Sequence, residues 1–193
     1  MEGEPRHLPS PTASARVASA PGPAVITATD PVIRVDRSPK PVHGRQPVAA
    51  PRHVEIAAVG LSAPLTPVGL ASDGSIQIPD VSVAGWYRDG PAPGSIGPAV
   101  LVGHVDSRAG PAVFYRLTDV RVGDVVVVDR ADGSTVRFRI YQVSVIRKSA
   151  FPTAAVFAPT ARPALRLVTC TGVFDPTLHH YLDSFIAWAN QVP

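Results

Sequence analysis

At 193 residues and 45% hydrophobic content, the chain can bury the core of one ordinary domain, not two. Its formal excess of +3 lies wholly in residues 1–53, which hold seven Arg/Lys against four Asp/Glu, while residues 54–193 hold eleven of each. A neutral fold argues against a nucleic-acid partner, one cysteine excludes an internal disulfide and any multi-cysteine metal site, and no run nears the roughly 18 consecutive apolar residues of a membrane span.

Residues 1–53 contain ten of the 22 prolines and none of the aromatic residues. Stretches such as Pro9-Ser10-Pro11 and Ser38-Pro39-Lys40-Pro41 cannot bury enough apolar surface to offset the entropy of ordering them. They read as an extended, semi-rigid stalk. A short strand at Ala24–Thr27 or Val32–Val35 is the only regular structure this stretch suggests. Met1-Glu2-Gly3-Glu4-Pro5 lacks the basic start and apolar stretch of a secretory signal, so the protein is either cytoplasmic or anchored from further upstream.

From Val54 onward the chain reads as one mainly β domain, residues 54–193, made of short runs between turn signals. Val54–Val59 alternates as a strand. Asp73-Gly74 and Asp132-Gly133 supply the positive φ angles of tight turns, the second between Val125–Val128 and Val136–Ile140. Val136, Phe138 and Ile140 alternate with Arg137 and Arg139, one face for the core and one for water; the tetravaline run reads as buried on both sides. Further strands are predicted at Ala99–Gly103, Gln142–Ile146, Leu165–Cys170 and Phe185–Ala189. Only Val113–Val120 has helical spacing, through Phe114, Leu117 and Val120.

Cys170 ends the strand Leu165–Cys170, and Thr171-Gly172 follows as a turn. A lone cysteine is usually a small buried hydrophobe, but a strand end is where a core gives way to a rim. Free thiols have a pKa near 8.5 and need a basic or cationic neighbour to act as nucleophiles at neutral pH. Backbone N–H groups around Thr171-Gly172 could stabilise charge on a substrate oxygen. His104, in Gly103-His104-Val105-Asp106, leaves the strand Ala99–Gly103 and is the side chain able to move protons near neutrality; a satisfied surface histidine is the alternative. Asp106 either orients that imidazole or caps a turn. His179 and His180 read as loop residues, since adjacent side chains on a strand point oppositely and do not share a metal. Trp86 and Tyr87 either line a peptide groove or pack in the core.

Gly103-His104-Val105-Asp106-Ser107, Phe114-Tyr115-Arg116-Leu117 and Leu167-Val168-Thr169-Cys170-Thr171-Gly172, in this order, resemble sortases, most closely the class F type of high-GC Gram-positive bacteria. Pro67-Val68-Gly69-Leu70, Gly85-Trp86-Tyr87 and Phe174-Asp175 fall where such proteins carry similar runs, so the resemblance spans residues 53–190. It implies a closed eight-stranded β-barrel with one or two short helices. It implies a cysteine transpeptidase that attacks a carbonyl in a Leu-Pro-any-Thr-Gly-like sorting signal. The thioester formed on Cys170 then passes to an amine or to water. By position, Cys170 is the nucleophile, His104 the proton-transfer partner and Thr169 a neighbour that helps bind substrate. No cofactor is expected, and no clustered carboxylates suggest a calcium site of the usual kind. The partners are the sorting-signal peptide and an amine acceptor at the extracellular face of the cell envelope, with the proline-rich stretch as spacer.

One position departs from the pattern. The family's arginine on the following strand falls at Leu182, in Tyr181-Leu182-Asp183-Ser184. Leucine offers neither the five donors nor the permanent charge of a guanidinium. The alternative function is therefore a catalytically impaired, sortase-like peptide-binding module. Arg166 shares the parity of Cys170, but four residues span roughly 13 Å along a strand, and it reads otherwise as a surface side chain.

Overall fold

The computed structural model describes residues 48–193. The expected stalk over residues 1–53, with its candidate strands at Ala24–Thr27 and Val32–Val35, lies almost entirely outside the described residues.

Among the described residues ten strands form in chain order: β1 (Pro51–Ile56), β2 (Leu61–Val68), β3 (Ala84–Tyr87), β4 (Gly97–Val102), β5 (Asp106–Ser107), β6 (Gly110–Pro111), β7 (Val125–Arg130), β8 (Thr135–Arg147), β9 (Pro163–Asp175) and β10 (His180–Val192). Eight of them close a barrel in the order β1-β2-β3-β4-β9-β10-β8-β7, and β5 with β6 makes a separate two-stranded hairpin. The β2–β3 and β4–β9 pairs are parallel, and the remaining barrel pairs are antiparallel. The helical content of the described residues is one five-residue helix, α1 (Thr153–Phe157), with short 3₁₀ turns.

Two apolar layers account for the long hydrophobic runs. Alternate residues of the central strands, among them Leu101, Leu165, Leu167, Phe185 and Ala187, fill the barrel together with Ile56, Phe114 and Phe138. The residues between them, Val100, Val102, Val168, Ile186 and Trp188, face outward against Ile76, Tyr87 and Val156 of α1. Each such side chain withdrawn from water contributes about 1.5–3 kcal/mol. β4, β9 and β10 are thus covered on both faces, which is why Gly97–Val102 is buried at every position.

Several local expectations are corrected. Ala57–Val59 is a 3₁₀ turn and not the end of a strand. The tetravaline run alternates: Val126 and Val128 are fully buried while Val125 and Val127 are half-buried, because the outer face of β7 has no second layer. Val113–Val120 contains only a 3₁₀ turn, Tyr115–Asp119. Phe114 and Leu117 still enter the core, since i and i+3 also share a side in the tighter helix. Gln142–Ile146 is no separate strand; a bulge opposite Trp188 and Ala189 lets β8 run on with its parity shifted. Asp73-Gly74 does turn the chain, but only one bridge, Leu70 to Ile76, forms across it. At Asp132-Gly133 the turn joins β7 directly to β8, with Gly133 at φ 80°.

Candidate active site

β4 and β9 run parallel with Val102 paired to Val168. His104 and Cys170 each lie two residues beyond that pair, on the parity of its outward-facing side chains. Neighbouring strands stand about 4.8 Å apart, so the register carries the segments that bear the imidazole and the thiol to the same end of two adjacent strands. Both line a cleft of about 850 Å³, and both are half-buried.

The chain holds this arrangement by backbone and side-chain bonds. Gly103 N–H donates to the Val168 carbonyl at 3.3 Å, and the buried Thr169 hydroxyl donates to the Gly103 carbonyl at 2.9 Å. Past His104, whose carbonyl accepts from Phe114 N–H at 2.9 Å, the β5–β6 hairpin folds back and Ala112 N–H donates to Val105. Gly103 is required by crowding: a Cβ there would lie 2.8 Å from both Phe114 Cδ2 and Val113 Cγ1. The hydroxyl proton of Thr169 is therefore engaged in joining β9 to the segment that carries His104.

Cys170 does not end its strand. β9 continues to Asp175, and Cys170 pairs with Ser184 on β10. The expected turn at Thr171-Gly172 is instead a bulge: Gly172 takes φ 86° and the register shifts between Tyr181 and Asp183. Leu182 sits in this irregularity and is half-buried.

Tyr181 joins the two sides of the site. Its hydroxyl donates to the Asp106 carboxylate across 75 residues of sequence, and its ring meets Phe174 edge-on at 5.4 Å. This bond, helped by burial and by the negative charge of Asp106, pushes the phenol up to about 12. Asp106 thus ties the β5–β6 hairpin to β10. A second depression of about 350 Å³, reaching Tyr115, Arg116 and Gly172, shares Val105 and Tyr181 with the main cleft.

Other expected residues fall elsewhere. Arg166 is no surface side chain: it is 4% exposed. It stacks over Trp188 at 4.7 Å and donates to the Leu165 and Ala189 carbonyls at 3.0 and 3.4 Å. Burial lowers its pKa, and it does not line the cleft. Trp86 packs against the barrel core and donates to the Pro91 carbonyl at 3.2 Å, and Tyr87 is buried against Phe157; neither lines the cleft. His179 and His180 do line it, which their loop-like sequence did not signal. Ser184, Arg108 and Lys148 were equally silent, since each reaches the cleft only through strand pairing or a hairpin tip. Among the described residues, no group of three or more His, Cys, Asp or Glu side chains is arranged to hold a metal ion, and no helix is long and apolar enough to cross a membrane.

Solved sortases share this architecture. The chain is similar to sortase C1 of Streptococcus suis (18% identity, TM-score 0.59, covering 75% of this chain and 74% of that one). It is similar also to sortase C-1 of Actinomyces oris (20%, 0.58, 73% and 73%) and to sortase C1 of Streptococcus agalactiae (19%, 0.58, 75% and 70%). At these identities the likeness is one of fold. No curated protein sequence matches the chain. The model of the Sortase domain family matches residues 54–192, from the first barrel strand to the last. The chain belongs to the sortase family, whose members are cysteine transpeptidases acting at the cell envelope.

Proposed function

We propose that the chain is a class F-like sortase working at the extracellular face of the envelope, with the proline-rich residues that precede β1 as its spacer. It would cleave a Leu-Pro-any-Thr-Gly-like signal through a thioester on Cys170. The observation that carries this reading is the β4–β9 register, with His104 and Cys170 two steps beyond one residue pair and on one cleft. The class assignment rests on the motifs Gly103–Ser107 and Leu167–Gly172; the solved relatives are sortases of class C, and at 18–20% identity they share the fold alone.

In this mechanism the Cys170 thiol gives its proton to His104, the sulfur bonds to the substrate carbonyl carbon, and the carbonyl electrons move to oxygen. Collapse of that intermediate breaks the carbon–nitrogen bond, and His104 delivers a proton to the departing amine. An incoming amine, or water, then attacks the thioester and gives a proton back to His104 as the sulfur leaves. Thr169 acts as a positioning residue, through Gly103, on the same cleft wall that receives the substrate.

The test is intact-mass measurement of the full chain incubated with a sorting-signal peptide. An acyl adduct in the wild type and none in Cys170→Ala is expected; an equal adduct in Cys170→Ala would refute the proposal. A second reading, a peptide-binding module with little turnover, is favoured by Leu182 standing where the family's arginine falls. It predicts tight peptide binding with no adduct in the wild-type chain.

A further inference from the structure

The cleft is electrostatically one-sided although the fold is neutral. Its lining carries two permanent cations, Arg108 and Lys148, against one carboxylate, Asp106, and that carboxylate already accepts the Tyr181 hydroxyl. Neither cation makes an ion pair among the described residues, whereas Arg116 and Arg147 nearby pair with Asp119 and Asp183 at 2.7 and 3.6 Å.

The two cations enter the cleft from different elements. Arg108 is at the tip of the β5–β6 hairpin that follows β4, where Ser107 donates to the Gly110 carbonyl and accepts from Ala109 N–H. Lys148 follows β8 directly and opens a 3₁₀ turn. In the barrel the order is β4, β9, β10, β8, so Cys170 and Ser184 lie on the two strands between those that lead into the Arg108 hairpin and into Lys148. Ile78 and Phe174 supply apolar lining in the same cleft.

We propose that the cleft selects an acidic peptide, with a carboxylate side chain within about two residues of the attacked carbonyl, held by Arg108 or Lys148. This rests on the reading of the cleft as the acylation site but goes beyond it, since a neutral peptide would serve the same chemistry. Cation–carboxylate pairs of this half-exposed kind are each worth a few-fold in affinity.

Binding separates recognition from turnover. Full-length Cys170→Ala is titrated calorimetrically with Leu-Pro-Glu-Thr-Gly and with the same peptide carrying Gln or Lys in place of Glu. The Glu peptide is expected to bind about three- to tenfold more tightly than the Gln peptide, and the Lys peptide most weakly. Arg108→Glu with Lys148→Glu should invert that order, and Arg108→Gln with Lys148→Gln should flatten it; the melting temperature of each variant reports on folding. Equal affinity for the Glu and Gln peptides, an order unchanged by charge reversal, or no binding of any peptide overturns the inference. Adduct formation on the wild-type chain, measured in parallel, tests the proposed function separately: equal acylation by Glu and Gln peptides would leave that function standing while this inference fell.

Discussion

The Thr169 hydroxyl donates to the Gly103 carbonyl at 2.9 Å from a side chain that is 3% exposed, so the residue before the cysteine holds the residue before the histidine. Replacing Thr169 by valine would leave that carbonyl with one partner fewer in a site closed to water. Such a loss costs about 1–3 kcal/mol. Thr169→Val should therefore lower the unfolding free energy, measured by denaturant titration, by that amount and slow thioester formation, while Thr169→Ser restores both. Equal stability of the valine and wild-type proteins would show that the bond does not hold the strands together.

Gly103 is confined from the other side. An added methyl would lie 2.8 Å from Phe114 Cδ2 and Val113 Cγ1, and Phe114 is fully buried in the barrel core. Overpacking of this kind costs about 1–3 kcal/mol. Gly103→Ala is expected to lose that stability and to acylate more slowly than its folded fraction explains, because the displaced backbone carries His104. The ratio of acylation rates at equal folded concentration is the measurement.

The alternation of Val136, Phe138 and Ile140, and the Asp-Gly pair at 132–133, made the β7–β8 hairpin legible in the sequence. The strand carrying Cys170 and the one ending before His104 were legible too, because both are apolar and bounded. What the chain concealed were irregularities. The bulge near Ile140 and Gln142 breaks the parity of β8, so one strand of thirteen residues reads as two. Gly172 looks like a turn because glycine with positive φ serves a bulge as well as a hairpin. The Tyr181–Asp106 contact had no local signal: it exists only because β10 returns beside β9 and the β5–β6 hairpin folds over the same end of the barrel. Arg166 was misplaced for a related reason, since only its neighbour across the sheet, Trp188, shows that a guanidinium can be buried there.

Tyr181 gives a pH signature. Its folded pKa of about 12 exceeds the ordinary value near 10, so the protonated phenol is favoured by folding. That stabilisation is fully present below pH of about 10 and is lost as pH rises through about 12. In Tyr181→Phe the stability should be lower at neutral pH and fall less steeply over that window. Ultraviolet titration of phenolate should lose its latest-ionising component in the variant. Tyr87 is also raised, by burial and then by Asp89, so a late phase kept in full by Tyr181→Phe would assign it to Tyr87 instead.

Arg166 separates structure from chemistry. Its guanidinium covers Trp188, and its Nε has no hydrogen-bond partner among the described residues. Arg166→Ala removes the stacking and leaves a cavity, at a cost of about 2–4 kcal/mol. Arg166→Met keeps much of the stem packing while removing a buried charge, and should cost less. Neither should change acylation per folded molecule. A loss of acylation in well-folded Arg166→Met would place this side chain in the reaction after all.

The proposed mechanism makes Leu182 the position to test for a limit on catalysis. Ser184 is the partner of Cys170 across β10, and Leu182 stands two residues further along, within the bulge. A guanidinium introduced there would add fixed donors and a positive charge beside the attacked carbonyl. One such donor to a developing oxyanion is worth on the order of 100- to 1,000-fold in rate. Leu182→Arg is therefore expected to speed thioester formation on Cys170 steeply, with peptide affinity changed far less. That split, seen in single-turnover kinetics, would show that the wild-type site binds well and reacts slowly. If the wild type already turns over rapidly and the substitution adds nothing, the other donors of the cleft suffice and the binding-module reading is lost. A rate that rises only together with affinity would mean that the new side chain holds the peptide and not the transition state.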